Sequence, residues 1–389
     1  MHKERESRLR SLMERNDLGA FVFWRPDELV MLLGYMPHWG LSFLVVTAAD
    51  AVLHVPAMEP DDILPSGIRT ERYPWGDISC PDPWERLYGS IGAQLARQRA
   101  DGKSLSFIRH IGGSAPCRMS GEGPLLPADL PERLGRLAAG GYKDVLPQLL
   151  ALYDYKTHAD SDALRVTHTV AKRAVERFYE LVQPGITERE LASAIEAAVQ
   201  NMTGCEGIGF AKAWPMVQSG PLAAAAGRYN RTTNRRLCAA ELVVLEMGVC
   251  VDGYWADITR TAVAGPATSR QNELHRVVEE ALQEALALLT PGATMSDVDK
   301  AAREHIAKAG YGQLFNHALG HQTGFRYHDP GAVLSPASTG ILEEGMVLTV
   351  EPGIYGEQIG GGIRIEENVL ITAGGYELLS NFSRSLTGK

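Results

Sequence analysis

Residues 245–261 read LEMGVCVDGYWADITRT, and this stretch predicts a β-hairpin. Two apolar runs flank the dipeptide Asp252-Gly253, which is a strong signal for a two-residue turn between antiparallel strands. In the register that such a turn sets, Val251 pairs with Tyr254. The other positions of the two strands follow from that pair.

The same register places two carboxylates on one face of the hairpin. Gly248 lies opposite Asp257, and Glu246 shares the face of Asp257 because side chains alternate along a strand. Diagonal cross-strand neighbours have α-carbons roughly 7–8 Å apart, within reach of one ion. Two such carboxylates repel each other unless a cation lies between them. A solvent-facing polar side is the alternative, and the hairpin alone does not decide between the two interpretations.

Histidines are concentrated further along the chain, in the segment 317–328. His317, His321 and His328 are three of the eleven histidines of the chain, and glycines lie among them. A lone histidine is more often structural than a ligand. Three beside glycines indicate a place where the backbone closely approaches a ligand.

Two further segments add carboxylates. An apolar strand ends at Glu351, and a carboxylate at the end of a buried strand needs a partner. Within residues 361–370, alternation places Arg364, Glu366 and Asn368 on one face. Arg364 beside Glu366 is alternatively a surface ion pair, which contributes little stability.

Taken together, these segments supply mainly hard oxygen donors and one imidazole. That set suits two ions such as Mn²⁺, Co²⁺, Fe²⁺ or Zn²⁺. Two-metal sites roughly 3.5–4 Å across hold a bridging water and lower its pKa. The sequence therefore predicts a hydrolytic nucleophile that needs neither serine nor cysteine.

Four phrases, in this order, resemble the pita-bread metallohydrolases, which include methionine aminopeptidase, aminopeptidase P, prolidase and creatinase. They are DGYWADITRT at 252–261, GH at 320–321, VEPGIY at 350–355 and GIRIE at 362–366. The likeness covers residues 156 to 380. The preceding part resembles the smaller domain of the aminopeptidase P, prolidase and creatinase branch.

The resemblance implies metal ligands at five positions, which are Glu246, Asp257, His321, Glu351 and Glu366. It implies that Glu351 also takes a proton from the bridging water, that His328 assists at the scissile carbonyl and that His317 lines the substrate site. Arg364 would orient the ligating carboxylates. The implied cofactors are two divalent ions, with Mn²⁺ preferred over Co²⁺, Zn²⁺ or Fe²⁺, and the implied assembly is a homodimer.

Two positions depart from the family pattern. The first ligand is normally Asp, whereas this chain has Glu246, whose extra methylene changes the bidentate geometry. Gly227-Arg228-Tyr229 carries arginine where the family has a substrate-side histidine. Arginine clamps a carboxylate with two hydrogen bonds and cannot accept one as a neutral imidazole does. We therefore predict that Arg228 binds substrate and that substrate recognition has shifted.

The length of 389 residues predicts two domains. Alternating helix and strand patterns predict an α/β, creatinase-like N-terminal domain over residues 1–150, with an irregular loop from Gly112 to Pro131. The resemblance implies an α+β pita-bread catalytic domain over residues 156–389, with helices backing a curved, mostly antiparallel sheet. Within it we expect a long helix from His158 to Val182.

Composition narrows the partners and the compartment. A net charge of −9 argues against a nucleic-acid partner, and no apolar run reaches the roughly 18 residues of a membrane span. The five cysteines are scattered, without C-x-x-C spacing, which fits a reducing compartment. The charged N-terminus lacks an apolar signal core. The expectation is a cytoplasmic protein with a small peptide or small-molecule substrate.

Three functional hypotheses follow. The leading one is a metal-dependent C–N hydrolase, by resemblance an Xaa-Pro dipeptidase or aminopeptidase. The alternative is a hydrolase or lyase of small non-peptide molecules on the same fold, as in creatinase, with an altered or absent metal site; Glu246 and Arg228 motivate it. A non-catalytic binding module is disfavoured, because all five ligand positions keep an oxygen or imidazole donor.

Overall fold

The computed structural model describes residues 3–109, 126–228 and 231–388, and for Arg228 it describes the backbone alone. The chain divides into two compact units, Met1–Tyr153 and Asp154–Lys389. Within the described ranges, no helix has the length and apolar character needed to cross a membrane.

The first unit contains a mixed five-stranded sheet with helices. Its strands are β1 (Leu18–Phe23), β2 (Phe43–Thr47), β3 (Ala51–Pro56), β4 (Arg69–Tyr73) and β5 (Ser104–Ser106), in the order β4-β3-β2-β1-β5. Its helices are α1 (Lys3–Asn16), α2 (Pro26–Leu33), α3 (Pro83–Arg97), α4 (Leu130–Gly135) and α5 (Leu146–Leu150). The inner pairs β1–β2 and β2–β3 are antiparallel, and the outer pairs are parallel. This confirms the α/β prediction.

The predicted loop from Gly112 to Pro131 lies largely outside the described residues. Its last part is described, and there α4 begins at Leu130, one residue before the predicted loop ends. Pro131 is in the first turn of that helix, where its missing N–H costs no hydrogen bond.

The second unit is built from helix pairs and antiparallel strands. Its helices are α6 (His158–Leu181), α7 (Glu188–Gln200), α8 (Ser269–Leu286) and α9 (Met295–Lys308). Its strands are β6 (Ala211–Ser219), β7 (Leu242–Val251), β8 (Tyr254–Val263), β9 (Gly320–His321), β10 (Val333–Leu334), β11 (Val347–Val350), β12 (Gly353–Gly356), β13 (Gly361–Arg364), β14 (Glu367–Thr372) and β15 (Gly375–Leu378). The long helix predicted from His158 is α6, which ends one residue before the predicted Val182.

The two helix pairs pack mainly against different strands. Helices α6 and α7 share an apolar core with the sheet β6-β7-β8. Helices α8 and α9 share a second core with strands β11–β15 and with one end of the hairpin, at Leu242 and Val263. The sheet order among β11, β14 and β15 is β11-β14-β15. Every strand pairing described in this unit is antiparallel. The predicted α+β architecture with antiparallel sheets is confirmed.

The hairpin β7–β8 has the predicted register. Val251 pairs with Tyr254, and Gly248 pairs with Asp257. The turn residues Asp252 and Gly253 have φ angles of 48° and 90°, in the left-handed region that a two-residue hairpin turn requires. The local sequence thus sets which side chains share a face.

The segment 361–370 is not the single alternating strand that we predicted. Strand β13 ends at Arg364 and pairs with β12, whereas β14 begins at Glu367 and pairs with β11 and β15. The break falls at Ile365 and Glu366, because the two strands join different partners. Nor is Arg364 part of a surface ion pair: Arg364 is 6% exposed and Glu366 is 1% exposed.

Candidate metal centre

Side chains from the second unit meet in a cleft of about 390 Å³. The predicted residues that line it are Glu246, Asp257, His317, His321, His328, Glu351 and Arg364. Glu366 joins them as a buried carboxylate within ligand distance of the same donors. Gly227 also lines the cleft, and the side chain of its neighbour Arg228 lies outside the described part of the chain.

Glu246 is buried on β7 and directly opposite Thr259 on β8. Its Oε2 accepts hydrogen bonds from the Thr259 hydroxyl and from the guanidinium of Arg364. Its Oε1 accepts a hydrogen bond from the Tyr327 hydroxyl. The alternative of a solvent-facing hairpin is therefore wrong, since Glu246 is 4% exposed and Asp257 is 1% exposed.

Asp257 faces two imidazoles. Its Oδ2 lies 3.4 Å from Nε2 of His321 and 3.4 Å from Nε2 of His328. Burial opposes ionisation, but the hydrogen bonds from the two histidines outweigh it and lower the pKa of Asp257 to about 2. The Asn368 side chain fixes the backbone of Asp257 by accepting from its N–H at 3.1 Å and donating to its carbonyl at 2.7 Å.

His321 presents one ring nitrogen to the carboxylates. Its Nδ1 donates to the Gln322 carbonyl at 3.0 Å. Its Nε2 therefore faces the carboxylates, 3.4 Å from Oδ2 of Asp257 and 3.5 Å from Oε1 of Glu351. Burial disfavours the charged ring, yet the neighbouring carboxylates outweigh it and raise the pKa of His321 to about 9. Near pH 7 and without a metal, the His321 ring is therefore charged and carries a proton on Nε2, the nitrogen that faces the carboxylates.

Glu351 and Glu366 are difficult to ionise in this environment. Burial raises the pKa of Glu351 to about 7, even though Arg364 and His321 favour its charged form. Burial and the nearby carboxylates raise the pKa of Glu366 well above its usual value. Like charges crowded in a buried cleft favour protonation unless cations are present.

The donor atoms fit a divalent cation. The side chains form three groups, and within each group the potential ligand atoms lie within 4.8 Å of one another. The groups are Asp257–His321–His328, His321–Glu351–Glu366 and Glu246–Asp257–Glu366. Asp257 Oδ1 and Glu366 Oε1 are buried, and neither has a hydrogen-bond partner among the described residues. Buried oxygens are normally satisfied, so two unsatisfied oxygens on carboxylates that share donor groups with His321 indicate room for a metal ion.

A second network borders the cleft. His317 Nδ1 donates to the Ala318 carbonyl at 2.7 Å, so Nε2 accepts from the Tyr355 hydroxyl at 3.2 Å. The Tyr355 hydroxyl in turn accepts from Arg364 at 3.3 Å. Burial and the positive charge of Arg364 lower the pKa of His317 to about 3, so this ring is neutral near pH 7.

Sequence reasoning missed three hydroxyl-bearing residues at the centre, Thr259, Tyr327 and Tyr355. Thr259 lies two residues after Asp257, so strand alternation already places it on the ligand face. Tyr327 directly precedes His328, but no local pattern indicates that its hydroxyl reaches Glu246.

Antiparallel sheets backed by helix pairs, with carboxylates and imidazoles converging in one cleft, define a metal-dependent hydrolase of the pita-bread fold. The model of metallopeptidase family M24 matches residues 162–373, more than half of the chain. The chain belongs to this family. It is an enzyme, and the hypothesis of a non-catalytic binding module is wrong.

Relatives resemble the chain over nearly its whole length. An Xaa-Pro dipeptidase from Pyrococcus horikoshii is 29% identical over 98% of this chain and 98% of the relative. An uncharacterized peptidase from Staphylococcus epidermidis is 32% identical over 97% of this chain and 98% of its own. The crystal structure of the prolidase from Pyrococcus horikoshii superimposes with a TM-score of 0.79 at 26% identity, covering 98% of this chain and 99% of that one.

Proposed function

We propose that this enzyme is a dipeptidase that hydrolyses Xaa-Pro bonds with divalent metal ions. The observation that carries the proposal is the convergence of Glu246, Asp257, His321, Glu351 and Glu366 in one cleft. The full-length similarity to an Xaa-Pro dipeptidase supports the choice of substrate. A cleft of about 390 Å³ is at the small end for ligand sites, which favours a dipeptide over a longer peptide.

The five converging donors are the proposed metal ligands, for two ions at full occupancy. Four carboxylates and one imidazole make Mn²⁺ the first choice, because hard oxygen ligands suit it. Bound ions would polarise the scissile carbonyl and supply a water of lowered pKa. Arg364 keeps the ligating carboxylates in place through Glu246 and lies 3.8 Å from Oε2 of Glu351.

Side chains of the cleft are the proposed proton donors and acceptors. Glu351 lies in one donor group with His321 and Glu366, and it is the proposed acceptor of the proton from the attacking water, which it would return to the leaving nitrogen. His328 lines the cleft beside the donors and is the proposed group that donates to the carbonyl oxygen as negative charge develops. His317, held by Ala318 and Tyr355, lines the substrate side.

Arg228 is the proposed clamp for the substrate carboxylate. The backbone of Gly227 lines the cleft, and Arg228 follows it at the end of a 3₁₀ turn, Ala226–Arg228. A guanidinium binds a planar carboxylate with two hydrogen bonds, and a dipeptide carries one carboxylate at its proline end. Such a clamp would favour dipeptides over longer substrates.

The proposal extends to assembly and location. Resemblance to the aminopeptidase P, prolidase and creatinase branch supports a homodimer. The scattered, odd-numbered cysteines support the cytoplasm.

The test is a substrate panel with protein of known metal content. Purified protein is stripped with chelator and reloaded with Mn²⁺. It is then assayed with Ala-Pro, Leu-Pro, Ala-Ala, Ala-Pro-Ala and creatine. We expect kcat/KM for the Xaa-Pro dipeptides to exceed the others by at least about tenfold and to vanish on chelation. Metal-loaded protein that leaves every proline dipeptide intact would contradict the proposal and favour the non-peptide alternative.

A further inference from the structure

Residues 379–386 follow β15 and pack against the start of β14. All of them are described, and none of them lines the cleft of the metal centre. The hydroxyl of the fully buried Ser380 donates to Oε2 of Glu367 and accepts from the N–H of Asn368 at 2.7 Å. This side chain therefore joins the segment 379–386 to the two residues that directly follow Glu366.

Glu367 is a fully buried carboxylate at the start of β14. Its Oε1 accepts from Arg260 at 2.9 Å and from Arg384 at 2.7 Å, so two cations compensate its charge. A buried charge keeps its position because separation from its partners would leave it uncompensated in the interior. Glu367 is therefore held from two directions, by β8 through Arg260 and by the segment 379–386 through Arg384.

The same network holds the backbone of the proposed ligand Glu366. Nη1 of Arg260 donates to the Glu366 carbonyl at 2.5 Å, and Nε of Arg260 donates to the Ser383 carbonyl at 2.8 Å. The N–H of Glu366 donates to the Thr259 carbonyl at 3.2 Å. The peptide groups on both sides of the Glu366 side chain are therefore fixed, at the break between β13 and β14.

A second set of hydrogen bonds leads from Ser380 to the proposed ligand Asp257. Ser380 binds the N–H of Asn368, and the N–H of Leu379 donates to the Asn368 carbonyl at 2.9 Å. The Asn368 side chain accepts from the N–H of Asp257 at 3.1 Å and donates to its carbonyl at 2.7 Å. The segment 379–386 thus fixes the backbone of Asn368, whose amide fixes the backbone of Asp257.

We propose that Ser380 and Arg384 are positioning residues, which hold the proposed ligands Glu366 and Asp257 in place from outside the cleft. Ser380 acts through the first two residues of β14, and Arg384 acts through the first of them. This inference rests on the metal ligands proposed above. It concerns the geometry of those ligands, which can be measured without substrate. Protein that binds metal but cleaves no proline dipeptide would therefore contradict the proposed substrate alone.

Amide hydrogen exchange of the metal-free protein, measured by mass spectrometry, provides the first test. In Ser380→Ala, the N–H groups of Glu366 and Asp257 should exchange about tenfold faster, although neither of them is bonded to Ser380 itself. Ser161→Ala is the matched control, because that buried hydroxyl donates to the Thr157 carbonyl at 3.0 Å, outside the donor groups. It should leave exchange at both ligands unchanged. Wild-type exchange rates at both ligands in Ser380→Ala would overturn the inference.

Metal binding and turnover provide the second test. Residues that orient metal ligands contribute about 10–100-fold to metal affinity or activity, so Ser380→Ala should bind Mn²⁺ about tenfold more weakly in equilibrium dialysis. On an Xaa-Pro dipeptide, kcat should fall about tenfold while KM changes by less than about twofold, because Ser380 does not line the cleft. Ser380→Thr keeps the hydroxyl and should restore metal affinity and kcat. Wild-type Mn²⁺ affinity in Ser380→Ala would refute the role of Ser380.

Arg384 provides an independent pair of variants, which also serves if Ser380→Ala misfolds. Arg384→Met removes one of the two cations bound to Glu367 and should weaken Mn²⁺ binding about tenfold, whereas Arg384→Lys keeps the charge and should weaken it less. Arg177→Met is the control, because it removes an exposed ion pair with Glu180 and should bind Mn²⁺ as the wild type does. Equal Mn²⁺ affinity in Arg384→Met and Arg177→Met would overturn the role of Arg384.

Discussion

The Nε2 atom of His321 lies 3.5 Å from Oε1 of Glu351, and the backbone holds both residues in place. The N–H of Glu351 donates to the Leu319 carbonyl at 2.7 Å, and the N–H of His321 donates to the Thr349 hydroxyl at 3.0 Å. Two short segments therefore present an imidazole and a carboxylate to the same point of the cleft. A proton acceptor next to a metal ligand suits the roles proposed for this pair.

Replacing Glu351 by glutamine should distinguish its proposed role as a base from its proposed role as a metal ligand. Glu351→Gln keeps the shape and one oxygen donor but removes the basicity, so kcat on an Xaa-Pro dipeptide should fall by about 10²–10⁴-fold. Metal content, measured on the same sample, should fall much less. Glu357→Gln, at an exposed position outside the cleft, is the control and should retain activity. Full turnover by metal-loaded Glu351→Gln would refute the proton-transfer role.

Metal affinity should increase with pH. Without metal, the pKa of His321 is raised from 6.5 to about 9. The charged ring therefore stabilises the fold fully below about pH 6.5, and this contribution is lost as pH rises through about 9. A metal must displace the same proton, so between about pH 7 and about pH 9 apparent Mn²⁺ affinity should rise by up to about tenfold per pH unit. Calorimetry in buffers of different ionisation enthalpy should detect about one proton released per ion. His275→Asn, outside the centre, should leave this slope unchanged, and a flat pH profile would contradict the assignment.

A buried ion pair supports the segment that carries His328. Lys156 Nζ lies 2.9 Å from Oδ2 of Asp329, and both side chains are fully buried. Lys156→Met leaves the Asp329 charge uncompensated, so the free energy of unfolding should fall by about 3–5 kcal/mol in urea denaturation. The control is Arg173→Met, which breaks an exposed pair with Glu176 and should cost less than about 1 kcal/mol. Equal losses in both variants would show that burial of the pair is unimportant.

A side chain at Gly253 should destabilise the hairpin turn. Its φ of 90° is unfavourable for other residues, so Gly253→Ala should reduce the free energy of unfolding by about 1–2 kcal/mol. Gly374, in the turn between β14 and β15, lies outside the left-handed region, and an added Cβ meets nothing within 4 Å. Gly374→Ala should therefore change stability by less than about 1 kcal/mol. If both alanine variants unfold at the same urea concentration, the turn assignment fails.

Local sequence was sufficient for the features that depend on neighbours along the chain. The Asp252-Gly253 turn sets the hairpin register, and strand alternation then places Glu246 and Asp257 on one face. The apolar run before Glu351 likewise predicts a carboxylate at a strand end, and β11 ends at Val350. Such predictions succeed because turn chemistry and side-chain alternation operate over a few residues.

Only the tertiary structure determined which residues donate hydrogen bonds to the proposed metal ligands. The donors to Glu246 include Tyr327 and Arg364, which are 81 and 118 residues away along the chain. The break at Ile365 and Glu366 arises because β13 and β14 pair with different strands, which alternation within one segment cannot reveal. The sequence by itself determined which carboxylates and imidazoles are available and, for Glu246 and Asp257, that they share one face of the hairpin. Packing of distant segments determined which lone pairs remain for a metal, because hydrogen bonds between elements depend on three-dimensional neighbours.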